Sequence, residues 1–142
     1  MKALTVLRVV AGLHAVAICL QPVFAGIYLD GSPAGLRMHE PTGLAIVFLG
    51  LAQLLAATIW WRSGGRWQAA AVSLLIWVGE VVQVSMGYSR QLAIHIPLGI
   101  ALVASTVALA IWINRQRVTS RQTGRQRNEN DASRHNHLPI CS

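Results

Sequence analysis

Acidic residues are scarce in this chain. Its 142 residues hold five Asp and Glu against twelve Lys and Arg. Charge of either sign is thin as well, 12% of residues, where soluble domains carry about 25%. Cysteine occurs only as Cys19, inside an apolar run, and Cys141, next to the end. The two lie in different surroundings, which argues against a disulfide, and the absence of Cys-x-x-Cys argues against a thiol oxidoreductase and covalent c-type haem. Cys141 stands at the wrong distance from the end for prenylation. There is no phosphate loop, nucleophile elbow or closed His/Cys cluster, which speaks against a hydrolase or an ATPase.

What the chain has is hydrophobic sequence: 54% of residues and a mean hydropathy of +0.47. Four apolar runs, over about 9–29, 42–61, 67–88 and 92–113, are each long enough to span roughly 30 Å of hydrocarbon as a helix. Short connections make neighbours antiparallel. The expected fold is all-α: an integral membrane four-helix bundle over residues 1–114, followed by a basic, disordered tail over 115–142.

The net charge of +7 does not point to nucleic acid, because the basic residues flank apolar runs. Lys2, Arg8, Arg62, Arg66, Arg115, Arg117, Arg121, Arg125, Arg127 and Arg134 fall on one side of the expected membrane, and only Arg37 and Arg90 on the other. This asymmetry predicts both termini in the cytoplasm. Trp60, Trp61, Trp67 and Trp112 would sit at the cytoplasmic interface, Tyr28 and Tyr88 at the outer one. The tail would then anchor the topology and meet anionic lipid headgroups. Basic charge carried almost wholly by Arg, with abundant Ala, suggests a bacterial plasma membrane. Lys2, Arg8 and the Val23-Phe24-Ala25 stretch resemble a signal peptide. Retention of the first helix is expected nonetheless, because it belongs to a repeat.

That repeat carries the functional reading. His-x-Pro-x-Gly occurs as His39-Glu40-Pro41-Thr42-Gly43 and again as His95-Ile96-Pro97-Leu98-Gly99. Beyond the motif, Ala45, Val47 and Ala52 match Ala101, Val103 and Ala108. Upstream, Gln21, Gly26 and Tyr28 correspond to Gln83, Gly87 and Tyr88. Two parallel transmembrane hairpins would thus be related by a pseudo-twofold axis along the membrane normal. The axis would place His39 and His95 at one depth on diagonal helices, able to ligate a haem iron from both sides. The proline is expected in the first helical turn, where its missing N–H costs nothing. Gly43 and Gly99, one turn after each histidine, would open space for a flat ring and are candidate cofactor-binding residues. The bland alternative is an interfacial histidine, a helix-opening proline and a packing glycine.

Gln83-x-x-x-Gly87 followed by Ala93-Ile94-His95 and a small residue one turn later resembles the hairpin of haem A synthase. Gln21, Gly26, His39, Glu40 and Gly43 also resemble a group of small bacterial four-helix membrane proteins. The resemblance covers roughly residues 5–114. It implies a four-helix bundle with a histidine near the outer start of its second and fourth helices, and His39 and His95 match those haem ligands. The family has two such bundles and this chain one. The family's acidic residue one turn before a ligand histidine is absent, Gly35 and Gln91 standing there, so the enzyme's oxidation chemistry is not carried over.

Two ionisable residues fall deep in the apolar runs, Glu80 in the third and His14 in the first. Such groups are costly in a membrane and face the bundle interior. They are the candidate catalytic residues, as a proton or quinone site. The alternative is a protonated Glu80 hydrogen-bonded to His14. Gln21, Gln53 and Gln83 read as interhelical hydrogen bonds. The sequence thus points to one b-type haem between His39 and His95, serving electron transfer or haem handling with a quinone or redox protein as partner. The rival is a non-redox scaffold, a small transporter or a subunit of a larger complex. Whether the chain is an enzyme stays open.

Overall fold

The computed structural model describes residues 2–116 as four α-helices and no strand: α1 Lys2–Leu29, α2 Pro33–Arg62, α3 Trp67–Tyr88 and α4 Leu92–Arg115. Of the basic tail expected over 115–142, Arg115 closes α4, and the rest beyond Gln116, with its lipid role, lies outside these residues. All four helices are long and apolar enough to cross a membrane. The chain is a multi-pass membrane protein. Each helix packs on two others, α1 on α2 and α4, and α3 on α2 and α4. The square this makes sets α2 diagonal to α4.

Two helix starts differ from the apolar runs. The first helix begins at Lys2 rather than near Val9, and α2 at Pro33 rather than near Thr42. Apolar runs mark the hydrocarbon layer, not the helix. Residues 33–41 continue the helix from a proline at its first turn, a position where a missing N–H removes no bond. Pro41 therefore lies inside α2; Pro97 lies inside α4 and Pro22 inside α1, so neither motif proline stands in the first helical turn, where the sequence pattern places it. Each removes one i to i−4 bond and crowds the carbonyl one turn back.

The turns repeat one another. After α1, α2 and α3 the chain turns through a left-handed residue, Gly31 (φ 92°), Gly64 (φ 90°) and Arg90 (φ 57°). The next N–H then reaches back five residues: Ser32 to the Ile27 carbonyl (3.2 Å), Gly65 to Trp60 (2.9 Å) and Gln91 to Met86 (2.9 Å). This pattern satisfies the last carbonyls of each helix.

Buried positions form one seam per helix. Its spine is Leu4, Leu7, Ala11, His14 and Ile18 on α1, and Ile46, Gly50, Gln53 and Ala57 on α2, with Ala56, Ala70 and Ala110 buried beside it. The seam of α3 is Ala69, Ser73, Ile76 and Glu80, and that of α4 is Leu102, Thr106, Leu109 and Ile113. Steps of three and four alternate, the spacing of side chains that interlock between nearly parallel helices. Small residues let the backbones approach, as membrane helices require when burying apolar surface from lipid gains little. Between the seams, Val16, Phe48, Leu75 and Ile100 are 64–72% exposed and face lipid.

Packing is uneven along the bundle. The buried seam runs from the end bearing Arg8, Arg62, Arg66 and Arg115, here the basic end, to the level of Ile18, Ile46, Glu80 and Leu102. At the basic end Arg8 donates to the carbonyls of Asn114 and Gln116, and the Arg66 guanidinium lies 5.6 Å from the Trp112 ring centre. Beyond Ile18 and Leu102, towards the histidine end, only Gly35 is fully buried. Pro22, Pro41 and Pro97 all stand in this looser half.

Candidate haem site

The seams continue into the looser half with the same steps. On α2, Ile46 is followed by Gly43 and His39. On α4, Leu102 is followed by Gly99 and His95. On α1, Ile18 leads to Gln21, and on α3, Glu80 leads to Gln83 and Gly87. All of these inward positions are half-buried. The motif residues of both repeats therefore converge where the bundle is open.

His39 and His95 come together from diagonal helices, their ring centres 6.2 Å apart and their planes at 62°. Each Nδ1 faces a main-chain carbonyl: His39 that of Gln21 at 3.2 Å, His95 that of Gln83 at 2.9 Å. A carbonyl only accepts, so both Nδ1 atoms carry the hydrogen, which leaves the lone pair on Nε2. Metal-binding histidines are held in this way, the distal nitrogen fixed by a carbonyl so that the other can ligate.

The glutamines do more than supply a carbonyl. Gln83 Nε2 also donates to the carbonyl of His95 (2.8 Å), so one residue grips ring and backbone together. In the first repeat Gln21 Nε2 donates to Thr42 Oγ1 (2.9 Å), and Thr42 donates to the carbonyls of Met38 and His39. Leu98 replaces Thr42 in the second repeat, and there the glutamine reaches the histidine directly. The glycines explain how. A Cβ at Gly99 would stand 2.8 Å from Gln83 Nε2, and one at Gly43 3.8 Å from Gln21 Nε2. The space at both glycines thus receives the glutamine amide, where the sequence suggested a flat ring. A Cβ at Gly87 would meet His95 Cε1 at 3.0 Å, whereas Gly26, its counterpart, has open space. Gln21 and Gln83 were expected only as interhelical bonds. Their pairing with the histidines across the two repeats was the signal for more.

Deeper in the closed half, His14 and Glu80 meet. Glu80 Oε1 lies 2.7 Å from His14 Nε2, and both side chains are buried. His14 Nδ1 donates to Gln53 Oε1 (3.0 Å), whose amide donates to Ser73 Oγ (3.3 Å). Glu80 is also pressed against Gly50 on α2. The pair lies about 20 Å from the basic end, at 1.5 Å per residue over the thirteen residues from Trp67 to Glu80. A lone central carboxylate would cost about 2.5–3.5 kcal/mol, and pairing with His14 offsets that. The pair is separate from His39 and His95.

Compared with protein-family models, curated proteins and solved structures, the chain matches none.

The chemistry of the site must be judged from its donors. Among the described residues, no group of three or more His, Cys, Asp or Glu side chains is placed to hold a metal ion. A bare zinc ion takes three or four protein ligands. A haem brings its own four nitrogens and asks the protein for only one or two axial ligands. Two imidazoles fit that demand. Two metal–imidazole bonds of about 2.0–2.1 Å, with ~1.2 Å from each ring nitrogen to its centre, sum to about 6.4–6.6 Å between rings sharing one ion in line. The observed 6.2 Å at 62° is an edge contact between the two rings, a little shorter than that separation.

Proposed function

We propose that this membrane protein binds one b-type haem between His39 and His95 and serves electron transfer or haem handling, with a quinone or a redox protein as its partner. The observation that carries this reading is the symmetric pair of imidazoles, each fixed through Nδ1 by the main chain of a repeat-related glutamine. Haem, when bound, supplies a centre that gains and loses single electrons. The chain's own residues do the rest. Gln21 and Gln83 orient the rings. Gly99, and less tightly Gly43, admits the glutamine amide. The half-buried seam positions of the four helices line the histidine end. The likeness to one half of haem A synthase agrees with this arrangement, and this chain lacks that family's acidic residue beside the ligand. The alternative is a non-redox scaffold, a small transporter or a subunit of a larger complex, in which the same Nδ1 bonds only finish helix ends.

The test is the absorption spectrum of full-length protein purified in detergent from haem-replete cells, and of the same protein titrated with haem. A Soret band and sharp reduced visible bands of six-coordinate iron are expected. A protein that stays colourless after haem addition would remove the reading.

The same proposal places the protein in a bacterial plasma membrane with the basic end and both termini cytoplasmic, following the ten-to-two distribution of basic residues. A reporter inserted at Ser32 should be external and one fused after Ser142 cytoplasmic. An internal Ser32 would reverse the orientation and put the candidate site on the cytoplasmic side.

A further inference from the structure

The two repeats share one spacing but not one core. In the register that pairs Gln21 with Gln83, His14 on α1 corresponds to Ile76 on α3, Ala11 to Ser73, and Ile18 to Glu80. In the register that pairs His39 with His95, Gln53 on α2 corresponds to Leu109 on α4, and Gly50 to Thr106. All of these positions are buried. Each polar member of the buried network thus has an apolar residue at its equivalent place. The network links α1, α2 and α3, and the pseudo-twofold axis carries it onto an apolar set of the same spacing.

The network is made by contact between unlike repeats. His14 and Gln53 belong to the first hairpin, Ser73 and Glu80 to the second. The 2.7 Å contact of Glu80 Oε1 with His14 Nε2 and the 3.3 Å bond from the Gln53 amide to Ser73 Oγ both cross between hairpins. A bundle of two first hairpins would set Ile18 against His14 and Ala11 against Gln53. Both polar groups would then lose those partners while buried. A bundle of two second hairpins would set each Glu80 against Ile76, an unpaired acid deep in the bilayer, which is costly. Space discriminates in the same direction. Glu80 fits because Gly50 faces it on α2, where a Cβ would overlap its Oε2. In a bundle of two second hairpins, Thr106 would stand in the place of Gly50.

We infer that the inner face of the first hairpin is a recognition surface for the second hairpin that rejects a copy of itself. His14, Gln53, Ser73, Glu80 and Gly50 are the discriminating residues. A buried pair such as His14–Glu80 adds little stability over apolar residues of the same volume. What it adds is choice of partner, as one buried polar residue does in a coiled coil. With symmetrical cores, like and unlike hairpins would be equally good partners. With this core, every bundle contains one Gln21–His39 half and one Gln83–His95 half. The inference holds whatever the histidines bind.

The experiment uses the full chain in detergent, with Cys19→Ser and Cys141→Ser and a protease site inserted between Gly64 and Gly65. After cleavage the hairpins are free to exchange. Ile46→Cys and Leu102→Cys, at equivalent buried places on α2 and α4, are joined by a thiol crosslinker spanning ~10 Å, a helix–helix distance. The unlike product and the two like products differ in mass. With the native core, the unlike product should exceed either like product about tenfold or more, since each mispaired bundle leaves a buried group unpaired. His14→Ile, Gln53→Leu, Ser73→Ala and Glu80→Ile together give each position the residue its counterpart carries. This symmetrical core should keep its helical circular dichroism and yield like and unlike products in nearly statistical proportion. A native core that scrambles, or a symmetrical core that still selects unlike hairpins, would overturn the inference. Should the symmetrical core fail to assemble, His14→Ile with Glu80→Ile puts the same question to the central pair alone. The native core also decides by itself, because equal like and unlike products there remove the inference.

Discussion

His95→Ala is expected to abolish the six-coordinate spectrum of the haem-loaded protein, and His39→Ala to do the same. Each histidine supplies one of only two protein bonds to the metal in the proposed site, and no third candidate ligand stands among the described residues near them. Loss of one leaves iron with an open position, so the sharp reduced bands should broaden and the Soret band shift. Disturbing an outer-shell partner of a metal ligand commonly costs 10–100-fold in affinity, and removing the ligand itself should exceed that. Imidazole added to solution should restore the six-coordinate bands of either variant, since the substitution removes a side chain of the same shape. His14→Ala serves as the control and should keep the bands, because His14 bonds Gln53 and Glu80 instead. An unchanged spectrum in His95→Ala would mean that its imidazole is only a helix-end group.

Gly35→Ala is expected to give the largest loss of stability among small substitutions. A Cβ there would stand 2.6 Å from the Phe24 carbonyl oxygen and 2.8 Å from the Tyr28 Cα, and would overlap the Tyr28 nitrogen. These are backbone atoms of α1 and cannot rotate aside, so the first two helices must part. Overpacking of this kind costs about 1–3 kcal/mol or more. Gly35 lies one turn before His39, so parting the helices also stretches the bond from His39 to the Gln21 carbonyl. Thermal unfolding in detergent should therefore show a lowered midpoint, and haem titration a weakened affinity. Gly12→Ala is the matched comparison: its Cβ would meet nothing within 4 Å, and alanine is the better helix former by about 1 kcal/mol. Equal behaviour of the two variants would show that the close approach of α1 and α2 at Gly35 is not what holds that hairpin.

The sequence made the bundle legible because membrane helices announce themselves by length and hydropathy. It made His39 and His95 legible because a repeated motif fixes equivalent places in space. It misplaced the start of α2, since Arg37, His39 and Glu40 break the apolar run without breaking the helix. The purpose of Gly43 and Gly99 was hidden, because what fills the space beside a glycine comes from another helix. The bond from His14 to Gln53 was hidden for the same reason. Yet its ingredients were present: His14, Gln53 and Glu80 all fall on seams spaced by threes and fours, and a count of that spacing would have aimed them at one another.

The prolines sharpen the contrast between the two ends. Three of the four helices carry one in the histidine half, and none carries one in the basic half. Each proline removes a rung from its helix where the packing is already loose. The molecule is therefore built like a pair of tongs, with a stiff grip at the basic end and compliant jaws at the histidine end. Tongs can close on an object after they are made. A flat cofactor could enter between jaws already spanning the bilayer, and the stiff half would keep its register while the jaws adjusted. For the proposed haem, assembly in the membrane would then precede loading with cofactor.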